Sequence, residues 1–201
     1  MRQQLLFASA DEPWTWVKGY LSGRQQTLLM EEAETYPYER PEVTVYGKAH
    51  RIPRTQIWFG DAGVEYQYSG LLVSPTPWPH YAQRLREQLR RDFGLMSNGV
   101  LVNRYAGGRD CMGWHADDEA ELLPGSDIAS VSLGDGRDFV VRHNRTGQKQ
   151  TLHLESGDLL LMHFPMQQDW QHALPKRLRQ QGTRWNFTFR CLIPGFHSCT
   201  V

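Results

Sequence analysis

The stretch Arg184-Trp185-Asn186-Phe187-Thr188-Phe189-Arg190 decides how the carboxy-terminal half of this chain folds. Side chains of a β-strand alternate between two faces, so the three aromatic residues share one face and the arginines, asparagine and threonine share the other. An arginine on the inner face of a sandwich or barrel is costly unless an anion binds it, and its planar guanidinium matches a carboxylate. Two interpretations stay open: a pocket face that binds a dicarboxylate, or an exposed polar face.

Short strand-like segments separated by glycine-containing turns precede this stretch. Strands of this length, with a turn about every 8 to 12 residues, are typical of a sandwich or barrel. Upstream, Ser22 is a candidate N-cap for one helix, and a second helix is predicted over Trp78–Phe93 with Gly94 just past its end. We therefore predict a mainly β (α+β) fold with the amino-terminal helices packed outside it. The strand segments are Val100–Tyr105, Ile128–Leu133, Phe139–Arg142, Thr151–Leu154 and Asp158–His163.

Composition narrows the class of protein further. The 201 residues carry 22 basic and 22 acidic side chains, which excludes a uniformly cationic protein but not a local basic surface. Three cysteines do not make a closed disulfide framework, and no apolar run is long enough to span a membrane. Nothing at the amino end resembles a secretion signal. We expect a single domain over residues 1–201, monomeric and cytoplasmic, with no membrane partner.

The segment around His115 and Asp117 is the first candidate for chemistry. In an extended segment these two side chains point the same way, and an imidazole with a carboxylate makes two-thirds of the facial triad that holds non-haem Fe(II). Alone, such a pair is a weak signal, because it also occurs by chance in turns. The pattern offers four candidates for the third ligand: His143, His153, His163 and His172, the last of which is expected in a loop.

Taken together, these residues resemble the AlkB family of Fe(II)- and 2-oxoglutarate-dependent nucleic-acid demethylases. The match covers roughly residues 40–191, and its upstream part is similar to the branch that repairs double-stranded DNA. The core elements, in order, are Asn103-x-Tyr105, His115-x-Asp117, His172 and Arg184-x-Asn186-x-Thr188-x-Arg190. The upstream elements are Val45-Tyr46-Gly47, Pro53-Arg54-x-Gln56, Gly60-Asp61-Ala62-Gly63 and Tyr66-x-Tyr68-Ser69-Gly70.

The resemblance implies a fold and a cofactor site. The fold is a double-stranded β-helix, or jelly roll, with its core at about residues 100–191 and a nucleotide-recognition lid at about residues 40–75. Iron is held by His115, Asp117 and His172. The implied 2-oxoglutarate site places Arg184 on the distal carboxylate and Arg190 near the 1-carboxylate. Its full set is Asn103, Tyr105, Arg184, Asn186, Thr188 and Arg190.

The resemblance also implies the reaction. With O2 and 2-oxoglutarate, which becomes succinate and CO2, the enzyme hydroxylates N-methyl groups of 1-methyladenine and 3-methylcytosine and releases formaldehyde. The partner is methylated DNA, duplex or single-stranded, and a bacterial protein of this kind is expected at the nucleoid. A methylated base must leave the duplex to react, and aromatic side chains can stack on it. The implied substrate-binding residues are Tyr46, Arg54, Gln56, Tyr66, Tyr68 and Asp118.

The resemblance also implies individual roles within that set. Tyr66 and Tyr68 share one strand face and are expected to wall the base pocket. Tyr46 occupies the place where duplex-repair relatives carry an apolar finger, and Arg51 and Arg54 beside it are expected to contact phosphates, as are Lys176, Arg177 and Arg179. Three alternatives remain: an RNA demethylase, a protein or small-molecule 2-oxoglutarate hydroxylase, and a binding module without metal.

Overall fold

The fold is a β-sandwich, seen in a computed structural model that describes residues 12–45, 47–68 and 70–199, without the side chains at 43–45, 68 and 199. The strands are β1 (Trp14–Val17), β2 (Glu42–Val45), β3 (Lys48–Arg51), β4 (Thr55–Gly60), β5 (Tyr66–Tyr68), β6 (Leu71–Val73), β7 (Gly99–Tyr105), β8 (Met112–His115), β9 (Ile128–Gly134), β10 (Arg137–His143), β11 (Lys149–Leu154), β12 (Leu159–Met162), β13 (Trp170–Leu174) and β14 (Arg184–Arg190). The helices are α1 (Gly23–Glu34), α2 (His80–Phe93) and the single turn α3 (Met166–Asp169).

Two antiparallel sheets make up the sandwich. The larger has six strands in the order β1-β12-β9-β14-β7-β4, and the smaller has four in the order β11-β10-β13-β8. Strand β14 lies inside the larger sheet, between β9 and β7, so both of its edges are hydrogen-bonded to neighbouring strands. The mainly β, jelly-roll prediction is confirmed.

The apolar face of β14 builds the main core. Phe187 and Phe189 are fully buried and pack with Leu29 and Leu85, which α1 and α2 bring to the outside of the larger sheet. Removing such side chains from water is the main favourable term in folding. The opposite face of β14 points into the space between the two sheets. The open question about Arg184 and Arg190 is thereby answered, because both are buried and neither lies on an exposed face.

Both predicted helices are present, and the predicted cap residues lie at their ends. Ser22 caps α1, and its side chain and that of Gln25 form a reciprocal capping box. The second helix starts at His80, later than predicted, because Trp78 and Pro79 precede its first turn. It ends at Gly94, which has φ of 70° in the left-handed region that glycine adopts without strain.

Of the sandwich strands, four were not predicted from the sequence pattern: β1, β4, β8 and β13. The expectation that His172 lies in a loop is wrong, because His172 sits inside β13 and pairs with Val141 on one side and His115 on the other. The segment lacks a clear two-residue alternation, and its extended form depends on hydrogen bonds from both neighbours.

Two short hairpins lie within the region expected to be a lid. Strands β2 and β3 form one two-stranded sheet, and β5 and β6 form another, each separate from the sandwich sheets among the described residues. The lid assignment itself stays a prediction. Of the helices in the described part of the chain, none is long and apolar enough to cross a bilayer.

Candidate active site

A cavity opens between the two sheets, on the polar face of β14. Strands β7 and β14 supply one wall, and β8, β10 and β13 supply the other. The polar and aromatic lining residues are Tyr66, Asn103, Tyr105, His115, Asp117, Glu119, Ser130, Phe139, His172, Arg184, Asn186, Thr188 and Arg190. The cavity thus brings together the three residues predicted to hold iron and all six predicted to bind 2-oxoglutarate.

Two histidines and a carboxylate converge at this cavity. Strand pairing sets His115 of β8 opposite His172 of β13, and Asp117 follows β8 by two residues. The Nε2 atoms of His115 and His172 lie 3.7 and 3.9 Å from the two oxygens of Asp117, and one ligand atom from each residue lies within 4.8 Å of the others. Two histidine nitrogens and one carboxylate oxygen are the donor set of the facial triad that binds non-haem Fe(II).

The protonation states of these groups suit a cation. Burial lowers the pKa of His172 to about 3, so its imidazole is neutral and keeps a lone pair. His115 donates from Nδ1 to the carbonyl of Gly113 at 2.9 Å, which leaves the lone pair of Nε2 free to bind a metal. Burial alone would raise the pKa of Asp117, but the charge of Arg190 holds it well below its usual range. The residues present therefore fit a divalent metal.

Arg184 forms the deep cationic end of the cavity. Its guanidinium donates to the carbonyl of Leu154 at 3.1 Å and to the hydroxyl of Ser132 at 2.6 Å, both neutral, while its buried Nε has no hydrogen-bond partner. Burial lowers its pKa to about 10. Tyr105 is the cross-strand neighbour of Arg184. A buried cation with an open donor fits an anionic guest such as the distal carboxylate of 2-oxoglutarate.

Arg190 and the middle of β14 complete the polar floor. Arg190 donates from Nη2 to Asp117 at 2.7 Å, and its Nε and Nη1 are buried without hydrogen-bond partners. Asn186 donates to the hydroxyl of Ser130 at 2.8 Å and accepts from Thr188 at 3.0 Å. Arg190 thus holds the carboxylate of Asp117 and keeps two buried donors that a second anion could accept from.

An aromatic wall stands beside the triad. Tyr66 is buried, stacks on Trp58 with 4.9 Å between ring centroids, and lies under the guanidinium of Arg190 at 5.2 Å. Its hydroxyl donates to Glu119 at 2.6 Å. Burial raises the pKa of Tyr66 well above its usual value and also raises that of Glu119. The wall therefore presents a neutral phenol to the cavity.

Three predicted substrate residues lie elsewhere. Arg54 is buried and donates to Asn103 at 2.6 Å and to Gln56 at 3.3 Å, so the expected phosphate contact is wrong. Gln56 is buried on β4 and does not line this cavity. Asp118 is exposed and points away from it. Tyr46 and the side chain of Tyr68 lie outside the described residues.

Sequence reasoning missed other residues of the site. Glu119 lines the cavity where Asp118 does not, because residues two apart share a face and Glu119 follows Asp117 by two. The same period marks Ser130 and Ser132, polar positions in the otherwise apolar strand β9, which contact Asn186 and Arg184. Both signals are present in the sequence.

Comparisons with known proteins agree with this geometry. The family model of the 2OG-Fe(II) oxygenase superfamily matches residues 13–190. The chain is 44% identical over 174 residues to the DNA oxidative demethylase ALKBH2 of Mus musculus, covering 83% of this chain and 73% of that protein. It is 43% identical to the Homo sapiens protein of that name, covering 82% of this chain and 66% of the relative. The alpha-ketoglutarate-dependent dioxygenase alkB homolog 3 of Homo sapiens is 28% identical, over 88% of this chain and 65% of the relative.

Solved structures show the same fold. The structure of OsALKBH1 superimposes with a TM-score of 0.60 at 20% identity, covering 89% of this chain and 97% of that chain. A 2OG-Fe(II) oxygenase family protein from Burkholderia pseudomallei gives a TM-score of 0.58 at 18% identity, covering 90% of this chain and 86% of that one.

The chain belongs to the 2OG-Fe(II) oxygenase superfamily and is a dioxygenase of that class. Within the superfamily it is a member of the AlkB family, close to the ALKBH2 branch. The family and the histidine–aspartate–histidine cluster together imply Fe(II) and 2-oxoglutarate as its cofactor and cosubstrate.

Proposed function

We propose that this chain is an oxidative DNA demethylase that removes N-methyl groups from 1-methyladenine and 3-methylcytosine with O2 and 2-oxoglutarate. One observation carries the proposal: the buried triad, the cationic end at Arg184 and the aromatic wall at Tyr66 meet in one cavity. The ALKBH2 relatives, named as DNA oxidative demethylases, support methylated DNA as the substrate. Residues 1–201 act as one domain in this proposal.

Each residue of the proposed metal site has a separate role. His115, Asp117 and His172 are proposed to hold Fe(II), which when bound supplies the chemistry that couples oxidation of 2-oxoglutarate to hydroxylation of a methyl group. Arg190 keeps Asp117 ionised and oriented by its 2.7 Å contact. Because His172 and Asp117 are almost fully buried, they exclude water from their side of the site.

The cosubstrate lies along β14 in this proposal. Arg184 and Tyr105 hold the distal carboxylate, and Asn103, with its amide oxygen already bonded to Arg54, turns its amide nitrogen toward the cavity. Asn186 and Thr188 line the floor between Arg184 and Arg190. The two arginines of one strand face thus bracket a dicarboxylate.

The methylated base is proposed to enter beside Tyr66. Its ring and that of His115 stand on the same cavity, and stacking on an aromatic side chain is worth roughly 1–3 kcal/mol per base. Methylation on the pairing edge breaks the base pair already, which lowers the cost of moving the base out of the duplex. Loss of formaldehyde from the hydroxylated methyl group restores the base.

The test is a demethylation assay with two histidine variants. Wild-type protein receives a 1-methyladenine duplex, Fe(II), 2-oxoglutarate and ascorbate, and formaldehyde and oligonucleotide mass are measured. His115→Ala is expected to abolish methyl loss, whereas His153→Ala, which changes a half-exposed histidine on β11 outside the cavity, is expected to retain it.

Other outcomes separate the alternatives. Faster methyl loss from a matched RNA oligonucleotide would favour an RNA demethylase, because the flipped base does not itself report the sugar. Succinate without methyl loss would mean a hydroxylase of a protein or small molecule. Neither product from iron-loaded protein would contradict the proposed activity.

A further inference from the structure

Glu121 is a buried carboxylate that the proposed chemistry does not use. Its side chain is 2% exposed, and its Oε1 accepts a hydrogen bond from the backbone N–H of Gln67 at 2.7 Å. The same oxygen lies 3.5 Å from Nε2 of His197, and the main-chain oxygen of Glu121 accepts from Ile193 at 2.8 Å. Its carboxylate thus joins β5 to the carboxy-terminal segment.

Strand β5 lies outside the two sandwich sheets. It pairs only with β6, in a two-stranded sheet that shares no ladder with the sandwich among the residues the structure describes. Tyr66 packs against the sandwich by stacking on Trp58, lying under the guanidinium of Arg190 and joining the apolar cluster of Val64, Leu101 and Leu192. Two hydrogen bonds add to this packing, one from the hydroxyl of Tyr66 to Glu119 and one from the backbone N–H of Gln67 to Glu121. Of these contacts, only the hydrogen bond to Glu121 involves the main chain of β5.

An apolar residue would be the simpler choice at this position. Leu122 and Leu192 pack nearby with Trp58 and Val64 in an apolar cluster. A buried carboxylate is costly unless hydrogen bonds compensate for the lost water. The compensating bond here goes to the residue that immediately follows Tyr66, the aromatic wall of the cavity.

We propose that Glu121 is a positioning residue for the substrate pocket: by holding the Gln67 N–H it sets the distance between the Tyr66 wall and the triad. This inference rests on the proposed function, because it assigns the β5 wall to the methylated base. Glu119 and Glu121 lie on the segment that follows Asp117. Their hydrogen bonds to Tyr66 and Gln67 connect β5 to the segment that carries this metal ligand.

The test compares variants that keep or remove the acceptor. Glu121→Leu removes it and is expected to raise KM for a methylated oligonucleotide roughly tenfold, as for loss of a charge-assisted hydrogen bond. The KM for 2-oxoglutarate is expected to stay within about twofold of the wild-type value, because β14 is unchanged. The rate of succinate formation without nucleic acid is expected to stay within the same limit. Glu121→Gln keeps an oxygen facing Gln67 and is expected to restore the wild-type KM.

Further variants keep the test decisive. His197→Ala removes the other neighbour of the carboxylate but leaves the Gln67 bond, and its KM is expected to be unchanged. If Glu121→Leu does not fold, Glu121→Asp withdraws the acceptor by one methylene while keeping the charge, and the rise in KM is expected there. Parallel loss of oligonucleotide and 2-oxoglutarate affinity would overturn the proposal and leave a structural role only.

Amide exchange at residues 66–68 measures the positioning without any activity. Faster exchange in Glu121→Leu than in wild type and Glu121→Gln is the expected result, because the Gln67 N–H loses its partner. Unchanged exchange would overturn the inference. Wild-type protein that protects this amide but does not demethylate DNA would refute the proposed function alone.

Discussion

The environment of Arg184 indicates an anion-binding site. Its charge lies in the sandwich interior, its described hydrogen-bond partners are neutral, and one buried donor is open. Such a charge is tolerable when an anion binds it, because an uncompensated buried charge is strongly destabilising. The sequence pattern placed this residue on a polar strand face, and burial of that face supports the proposal that it binds an anion.

Arg184→Gln is expected to weaken 2-oxoglutarate binding by roughly 10- to 100-fold, because a charge-assisted contact to the distal carboxylate is lost. Titration calorimetry with Mn(II)-loaded protein and no reducing agent measures the affinity directly. Arg24→Gln, which changes an exposed arginine on α1, is the matched control and should bind normally. Equal affinity in wild type and Arg184→Gln would place the carboxylate elsewhere.

The two-residue period settles most assignments at this scale. The period places Asp117 and Glu119 on one face of the segment and Asp118 on the other. Glu119 accordingly lines the cavity with Asp117, whereas Asp118 is exposed and does not. Arg54 is different. No local sequence pattern predicts that this arginine is buried. Its contact with Asn103 depends on the pairing of β4 with β7.

At the scale of elements, the start of α2 depends on another helix. Pro79 precedes α2 and offers no capping side chain. Glu32 of α1 supplies the missing acceptor, since its two carboxylate oxygens accept from the backbone N–H groups of Tyr81 at 2.8 Å and Ala82 at 3.1 Å. A carboxylate at a helix amino terminus also interacts favourably with the helix dipole. The contact locks the two outer helices together.

Glu32→Ala is therefore expected to destabilise the protein by about 1–2 kcal/mol, the usual cost of losing an N-cap with its charge. Urea unfolding followed by circular dichroism gives the free energy of unfolding. Glu31→Ala, an exposed neighbour on the same helix, should change stability by less than about 0.5 kcal/mol. A comparable loss in both variants would argue against interhelix capping.

Strand β13 marks the limit of prediction for elements. The segment Trp170–Leu174 shows no clear alternation, yet it is the strand that carries His172 into the cavity. Its hydrogen bonds go to β10 and β8, which lie about 30 and 60 residues earlier in the chain. By contrast β14, with strict alternation over its whole length, was recognisable from its own residues.

At the scale of the whole molecule, an ion pair joins the loop after β4 to α2. Asp61 accepts from both terminal nitrogens of Arg86, at 2.7 and 2.8 Å, and from the indole of Trp78 at 2.8 Å. Burial alone would raise the pKa of Asp61, but the hydrogen bonds from Arg86 and Trp78 outweigh it and lower the pKa. A lowered folded-state pKa means that ionised Asp61 favours the folded state.

The stability from Asp61 is therefore complete above its unfolded-state pKa of about 3.9 and is lost as pH falls through the lower folded-state value. Asp61→Asn is expected to cost about 1 kcal/mol at pH 7, with the difference from wild type shrinking below about pH 4. Thermal unfolding across pH measures it. Glu87→Gln, exposed on the same helix, should show no such convergence.

Ligand binding should also stabilise the entire fold. Mn(II) and 2-oxoglutarate at about 100 times their Kd are expected to raise Tm by roughly 10–20 °C, because both bind only the folded site. The same additions should leave Tm of His172→Ala nearly unchanged. A full shift in His172→Ala would remove this histidine from the metal site.

The sequence by itself determined which residue types carry the chemistry. His115-x-Asp117 and the alternating β14 are local patterns, and a two-residue period needs no tertiary information. Among the four histidines that the local pattern left open, only the family resemblance singled out His172. Tertiary structure decided that His172 meets the pair from inside a strand, that Arg54 is buried behind Asn103, and that Glu121 accepts a hydrogen bond from the main chain of β5. Each of these depends on contacts between segments dozens of residues apart, and such contacts form only when the two sheets close around one cavity.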